Sequence, residues 1–234
     1  MPFDFTTYKH YTINYVNFFN QLNSKKILND SSIQTEYLLY WIKILNDDDK
    51  FITNQLSTQE SIFYMRLQLQ SQREVFQTEI NNAGNKILLH FRVSYANEVI
   101  ARYKNKSQKI PVNEFVKRNS EFKWNPVSTN VDCYSTCNDP IIIVPFFNLQ
   151  HKYLVIDGNH RLTYKVKHSI DEIEAIIISE HTVIEFSLFS SGFDKHLYIM
   201  NNEIDRMSYL TNYENANALN LIQKSYFKDG VFKF

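Results

Sequence analysis

Apolar residues recur at spacings of three and four near both ends of the chain, which indicates amphipathic helices. One such stripe covers residues 8–29, and a second begins after Ser32 and is interrupted by the polar residues 46–49. Toward the C-terminus the same spacing predicts helices over residues 195–210 and 216–227. Both ends of the chain are therefore predicted to be mostly helical.

The segment 50–106 fits two patterns. Apolar residues from Phe63 to Leu69 alternate with polar ones, as in a strand, and those after residue 87 suit either a strand or a helix. A turn signal at residues 82–85 separates the two runs. The pattern favours a β-hairpin slightly over a helical pair and leaves both open.

Three β-branched apolar runs, at residues 141–144, 153–156 and 174–178, predict strands of one sheet. Between the last two runs, apolar residues recur at helical spacing, which predicts a helix. Before the first run, a polar segment at residues 119–138 predicts a long loop. The predicted fold class is α+β: a small mixed-sheet domain with a mostly helical N-terminal region and C-terminal helices. Expected boundaries are 1–104 for the first part, 105–182 for the sheet domain and 183–234 for helices that pack on it.

The sequence Asp157-Gly158-Asn159-His160-Arg161 ends the second predicted strand and opens the helix. The first amides of a helix have no intrahelical partner, and the helix dipole places partial positive charge there. Arg161 can offer a planar two-pronged donor to a phosphate, and His160 a further donor or a proton-transfer group. These five residues are therefore predicted to bind a phosphate or a nucleotide.

This segment resembles the (D)G-x-H-R signature of the ParB/sulfiredoxin superfamily. The run Ile-Ile-Ile-Val after Asp139-Pro140 is similar to the strand that precedes the signature in that family. Residues 173–179 resemble the strand that follows its helix, and residues 110–116 the strand and turn that open its domain. The resemblance covers roughly residues 105–182.

The resemblance implies different chemistry in each branch of the superfamily. In the sulfiredoxin branch the catalytic cysteine stands where this chain has Asn159, so sulfinic acid reduction is not expected. In the chromosome-partition branch a DNA-reading domain and a dimerisation element follow, and the residues after Ile178 are few for both, so partition activity is not expected. In a branch of small-molecule kinases an acidic residue acts as base, a role that Glu121, or else Glu114, would take by loose analogy.

Two functional hypotheses follow from the turn and the resemblance. The first is a nucleotide- or phosphate-binding protein, either a phosphotransferase or a nucleotide hydrolase, with ATP, ADP or CTP and Mg²⁺ as the implied cofactors. His160 and Glu121 would then be catalytic, and the side chains and amides from Asp157 to Arg161 would hold the phosphates. The second hypothesis is a non-catalytic nucleic-acid- or protein-binding module that retains the fold, with the aromatic-rich N-terminal region as its interaction surface.

Composition limits the partners. Lysine plus arginine and aspartate plus glutamate both number 25, so no net field favours nucleic acid or a membrane.

The acidic residues 47–49 are expected to be a solvated helix end rather than a metal cluster. Cys133 and Cys137 lack the spacing of a redox or zinc site and are expected to be free thiols. With no signal peptide or apolar span in the sequence, a cytoplasmic location is expected.

Overall fold

The computed structural model describes residues 2–70, 74–82, 85–148 and 150–234. Its strands are β1 (Phe3–Asp4), β2 (Lys9–His10), β3 (Val75–Asn82), β4 (Asn85–Arg92), β5 (Gln108–Pro111), β6 (Phe122–Lys123), β7 (Ile141–Pro145), β8 (Tyr153–Asp157) and β9 (Glu172–Ile177). Its helices are α1 (Tyr15–Asn23), α2 (Ser31–Gln55), α3 (Gln59–Gln70), α4 (Val93–Tyr103), α5 (Asn113–Val116), α6 (Asn159–Lys167), α7 (Glu180–Glu185), α8 (Gly192–Tyr213), α9 (Ala218–Lys224) and α10 (Tyr226–Asp229), with a short 3-10 turn at Asp132–Tyr134.

The chain forms two compact units. The first combines Met1–Ser94 with Leu188–Phe234, and the second is Tyr95–Ser187. The sequence instead predicted that residues 183–234 pack on the sheet domain. The C-terminal helices belong to the first unit because α2 and α8 share a buried contact, in which the Tyr37 hydroxyl donates to the Glu203 carboxylate at 2.8 Å.

Helix α2 continues through the polar residues 46–49, where the sequence pattern predicted its end. Asp48 accepts a hydrogen bond from His196 of α8 at 2.7 Å. Asp49 accepts one from the Tyr15 hydroxyl of α1 at 2.9 Å. These acidic side chains stay in the helix because partners on other helices bind them, and such partners are not visible in the local pattern. The N-cap of α2 is Asp30, which accepts from the Ser32 and Ile33 amides.

The predicted hairpin exists, but with a different first strand. Strands β3 and β4 pair antiparallel along their whole length, with Asn82 opposite Asn85, and the turn residues 83 and 84 lie outside the described residues. The alternating segment from Phe63 onward belongs to helix α3 instead. Residues 65–70 of this helix are all Met, Arg, Leu or Gln, which favour helix strongly enough to outweigh a strand-like alternation.

The second unit contains a five-stranded mixed sheet in the order β5-β9-β7-β8-β6. Strand β7 lies parallel to β9 and antiparallel to β8, so the three predicted strands share one sheet and the α+β class is confirmed. The residues of β7 from Ile141 to Val144 are buried, as are Leu154, Val155 and Ile156 of β8. This buried sheet fixes the position at which β8 ends and α6 begins.

In the described part of the chain, no helix is both long and apolar enough to cross a membrane.

Candidate functional site

Gly158 forms the corner between β8 and α6. Its φ of +86° lies in the left-handed region, which side chains disfavour. A Cβ atom at this position would lie 2.3 Å from Cγ2 of Ile141, and real Cβ atoms do not approach other atoms so closely. The backbone turn therefore packs directly on β7, and only glycine fits both the conformation and the space.

Asp157 and Arg161 brace this corner. The Asp157 carboxylate accepts from the Gly158 amide at 2.6 Å and from Nη2 of Arg161 at 3.0 Å. Arg161 also donates to the carbonyl of Pro140, the residue before β7, at 3.1 Å. Both side chains are mostly buried. The charge of Arg161 is therefore compensated inside the turn, and its guanidinium forms part of the frame of the corner.

Asn159 holds the preceding loop against α6. Its Oδ1 accepts from the backbone amide of Asn125 at 2.8 Å, and its Nδ2 donates to the carbonyl of Val155 at 3.3 Å. One turn further along α6, the Thr163 hydroxyl accepts from the amide of Val127 at 3.1 Å. The Asn159 side chain is thus a structural amide that joins the loop to β8 and α6.

His160 is the exposed side chain of the motif. Its ring centroid lies 5.5 Å from that of Tyr134, with the ring planes 30° apart. Tyr134 belongs to the 3-10 turn of the same loop, in which Asp132 also pairs with His168 near the C-terminal end of α6 at 3.3 Å. The loop therefore runs along α6 and returns to its N-terminus, where Tyr134 and His160 meet.

The backbone amides at the start of α6 supply hydrogen-bond donors. The first helical bond joins the Leu162 amide to the Gly158 carbonyl at 2.9 Å, so the amides of Asn159, His160 and Arg161 precede it. Within the described residues, no side chain caps this end of the helix. Three donors and the positive end of the helix dipole are thus available beside His160, an arrangement that suits an anion.

The structure does not bring Glu121 to this corner. The Glu121 carbonyl accepts from the Lys152 and Tyr153 amides, and its carboxylate pairs with Lys152 at 2.6 Å. Glu121 therefore lies at the start of β8, whereas His160 follows the end of that strand, which is itself roughly 13 Å long at about 3.3 Å per residue. The alternative base Glu114 pairs with Lys117.

Sequence reasoning missed Tyr134, Asn125 and the Pro140 carbonyl, which complete the corner. They come from a loop with no periodic pattern, so no local signal marks them. Among the described residues, no three His, Cys, Asp or Glu side chains gather as metal ligands. Cys133 and Cys137 are free thiols, and the Cys137 thiol lies 3.6 Å from the Asp139 carboxylate.

Comparisons with known proteins add little to this geometry. No protein-family model matches the sequence, and no curated protein matches it. Among solved structures, a match was found to the C-terminally truncated chromosome-partitioning protein ParB from Caulobacter crescentus, crystallised with the centromeric parS site. The two are 15% identical with a TM-score of 0.22, and the match covers 50% of this chain and 65%, less than two thirds, of that one. The resemblance to the superfamily therefore depends on the motif residues themselves.

Proposed function

We propose that the second unit binds a phosphate group, presented by a nucleotide, at the N-terminus of α6. The observation that carries the proposal is the run of uncapped amides at Asn159, His160 and Arg161, directly after the glycine corner. Backbone amides and the helix dipole together stabilise an anion at such a position. The exposed His160 ring adds a donor from the same turn.

Arg161 and Asp157 have an indirect role in this proposal. Because Arg161 is engaged by Asp157 and by the Pro140 carbonyl, its side chain positions the amides rather than contacting the phosphate. The Asp157 carboxylate also reduces the positive potential of the corner. We therefore expect the site to bind one phosphate group, held by hydrogen bonds, in preference to a highly charged cluster. Any Mg²⁺ would be bound to the nucleotide phosphates.

The proposed role is binding rather than catalysis. Phosphoryl transfer to an acceptor needs a group that orients or deprotonates the nucleophile beside the phosphate. Glu121, the carboxylate expected to do so, lies at the other end of β8 and pairs with Lys152. With Glu121 away from the site, His160 is the residue of the proposed site that can transfer a proton.

A second candidate function is an interaction module that uses the first unit. The large apolar side chains exposed on α2 and α3 include Phe51, Phe63, Tyr64 and Leu67. Clusters of exposed apolar side chains are typical of sites for protein partners. This function takes the place of nucleotide binding if no phosphate ligand binds.

Calorimetric titration with ATP, ADP, CTP and inorganic phosphate, each with and without Mg²⁺, tests the proposal. The wild type is expected to bind at least one nucleotide, and His160→Ala to weaken binding by roughly three- to tenfold, the effect of losing one neutral hydrogen bond. Arg161→Ala is expected to lower the melting temperature as well as the affinity, because it removes the brace of the corner.

The control variant replaces both Cys133 and Cys137 with serine, in the same loop as Tyr134. It should bind as tightly as the wild type, since neither thiol belongs to the proposed contacts. Absence of binding in the wild type under all of these conditions contradicts the proposed function.

A further inference from the structure

A short basic run connects α4 to β5 in the second unit and forms what we call the α4–β5 surface. Although the chain is neutral overall, residues 102–109 contain four cationic side chains, all exposed, and no acidic residue. Lys109 pairs with Glu172 of β9 at 3.0 Å, so its charge is offset. The three other cations attract an anionic partner to this surface. They are Arg102, Lys104 and Lys106.

The turn after α4 holds Lys104 in a backbone conformation that lysine rarely adopts. Its φ is +51°, in the left-handed region that glycine usually fills at the end of a helix. The Asn105 amide donates to the Ile100 carbonyl at 3.3 Å, which is the hydrogen bond that closes such a turn. Glycine would adopt this turn with less strain. The turn therefore does not require a lysine, and what the lysine adds to it is an exposed charge.

Tyr103 places an aromatic ring within this basic run, and the residue is 52% exposed. The Arg102 guanidinium lies 5.9 Å from the centroid of the ring, and the ring of Phe186, which follows α7, lies 5.0 Å away at an angle of 49°. Glu185, the acidic residue before Phe186, pairs with His181 at 3.3 Å. The Tyr103 ring is thus held by two neighbours while about half of the residue stays open to solvent.

An open ring beside several cations suits one class of anionic partner. Single-stranded nucleic acid uses both features, because its bases stack on aromatic rings and its phosphates bind cations. A duplex keeps the faces of its bases inside, and an acidic peptide has no base to stack on the ring. A membrane surface is bound through apolar side chains that enter the lipid, whereas residues 104–109 are all polar.

We propose that the α4–β5 surface binds single-stranded nucleic acid, with a base stacked on Tyr103 and phosphates on Arg102, Lys104 and Lys106. Stacking on the ring is tolerant of sequence, because every base has an aromatic face. Contacts to phosphates carry no sequence information either. The surface is therefore expected to bind single strands of any sequence. This proposal does not depend on the phosphate site at α6.

A pair of probes with the same phosphates separates stacking from charge. A fluorescent oligodeoxyadenylate and an abasic strand of the same length are titrated with the full chain over a series of salt concentrations, and binding is measured by fluorescence anisotropy. The oligodeoxyadenylate is expected to bind roughly five- to a hundredfold more tightly than the abasic strand, the effect of one stacked base. Three phosphate contacts predict a slope of log K against log salt of about −2, at about −0.7 for each contact.

Variants of the ring and of the turn assign the two contributions. Tyr103→Ala is expected to abolish the preference for the oligodeoxyadenylate over the abasic strand, and Tyr103→Phe to keep it, because the ring remains. Lys104→Gly is expected to make the salt slope shallower by about 0.7. Its melting temperature should equal or exceed that of the wild type, since glycine suits the left-handed position.

Two matched controls should leave binding and the salt slope unchanged. Lys167→Gln removes an exposed lysine from α6, and Tyr209→Ala removes a tyrosine of the first unit that is 56% exposed. Equal affinity of the wild type for the two strands, an unchanged salt slope in Lys104→Gly, or no binding of the oligodeoxyadenylate at low salt overturns the proposal. Binding of phosphatidylserine vesicles without binding of the strand also overturns it, in favour of a membrane partner.

The same variants keep this test separate from that of the phosphate site. None of them changes residues 157–161, so nucleotide titration of each variant reports on that site alone. If Tyr103→Ala does not fold, the two strands with the wild type and with Lys104→Gly decide the proposal.

Discussion

Replacing Gly158 with alanine is expected to destabilise the second unit by about 2–5 kcal/mol, the sum of left-handed backbone strain and overpacking. The added Cβ atom would meet Cγ2 of Ile141 at 2.3 Å, and Ile141 is a fully buried residue of the central strand β7. The unit can accept the methyl group only by moving the corner away from β7, which would also displace the amides of α6. Amide hydrogen exchange of β7 and β8 measures the loss of stability.

Gly230→Ala separates the two causes. Gly230 also has a positive φ, +71°, but nothing lies within 4 Å of the position that a Cβ would take. Only the backbone strain applies there, so the expected loss is about 1–2 kcal/mol. If Gly158→Ala destabilises no more than Gly230→Ala, the prediction that the added Cβ overpacks the corner against β7 is wrong.

The second large effect is expected for Asp194→Ala, at about 3–5 kcal/mol of the stability of the first unit. Asp194 and His90 are fully buried, and their side chains lie 2.8 Å apart between α8 and β4. The Asp194 carboxylate also accepts from the His90 amide at 3.1 Å and from the Ser191 hydroxyl at 2.6 Å. The variant removes the acceptor of these donors, of which the His90 groups are fully buried, and urea unfolding measures the cost.

Asp132→Ala provides the comparison for this variant. Asp132 also pairs with a histidine, His168 at 3.3 Å, but both side chains are exposed. Exposed ion pairs contribute only about 0–1 kcal/mol, so the loss is expected to be small. Similar losses for the two variants would show that burial does not decide the strength of the Asp194 contact.

The sheet of the second unit could be predicted because its signals are local. Three runs of β-branched residues predicted β7, β8 and β9, and a glycine between an apolar run and a helical spacing predicted the corner at Gly158. Local conformational preference decided these elements. The corner is also so crowded that it requires glycine, and this glycine is the signal that marks the corner in the sequence.

The predictions that differ from the structure depend on distant partners. The pairing of Tyr37 with Glu203 joins residues 166 positions apart and draws the C-terminal helices into the first unit. Helix α2 continues past residue 46 because Asp48 and Asp49 bind residues of α8 and α1. The spacing of apolar residues within α2 does not indicate such contacts. Asp157 lies four residues before Arg161, so the sequence offered that pair (with Glu172 as the alternative), but it could not show that the Pro140 carbonyl also engages Arg161 or that Glu121 lies far from His160.

The most direct test of the phosphate site is an NMR titration of the ¹⁵N-labelled protein with ATP and Mg²⁺. If the N-terminus of α6 binds the phosphate, the amide signals of Asn159, His160 and Arg161 move together, saturate with increasing nucleotide, and move less in His160→Ala. If those three amides stay unchanged at millimolar nucleotide, or the largest changes lie in the first unit, the second unit does not bind phosphate at this turn.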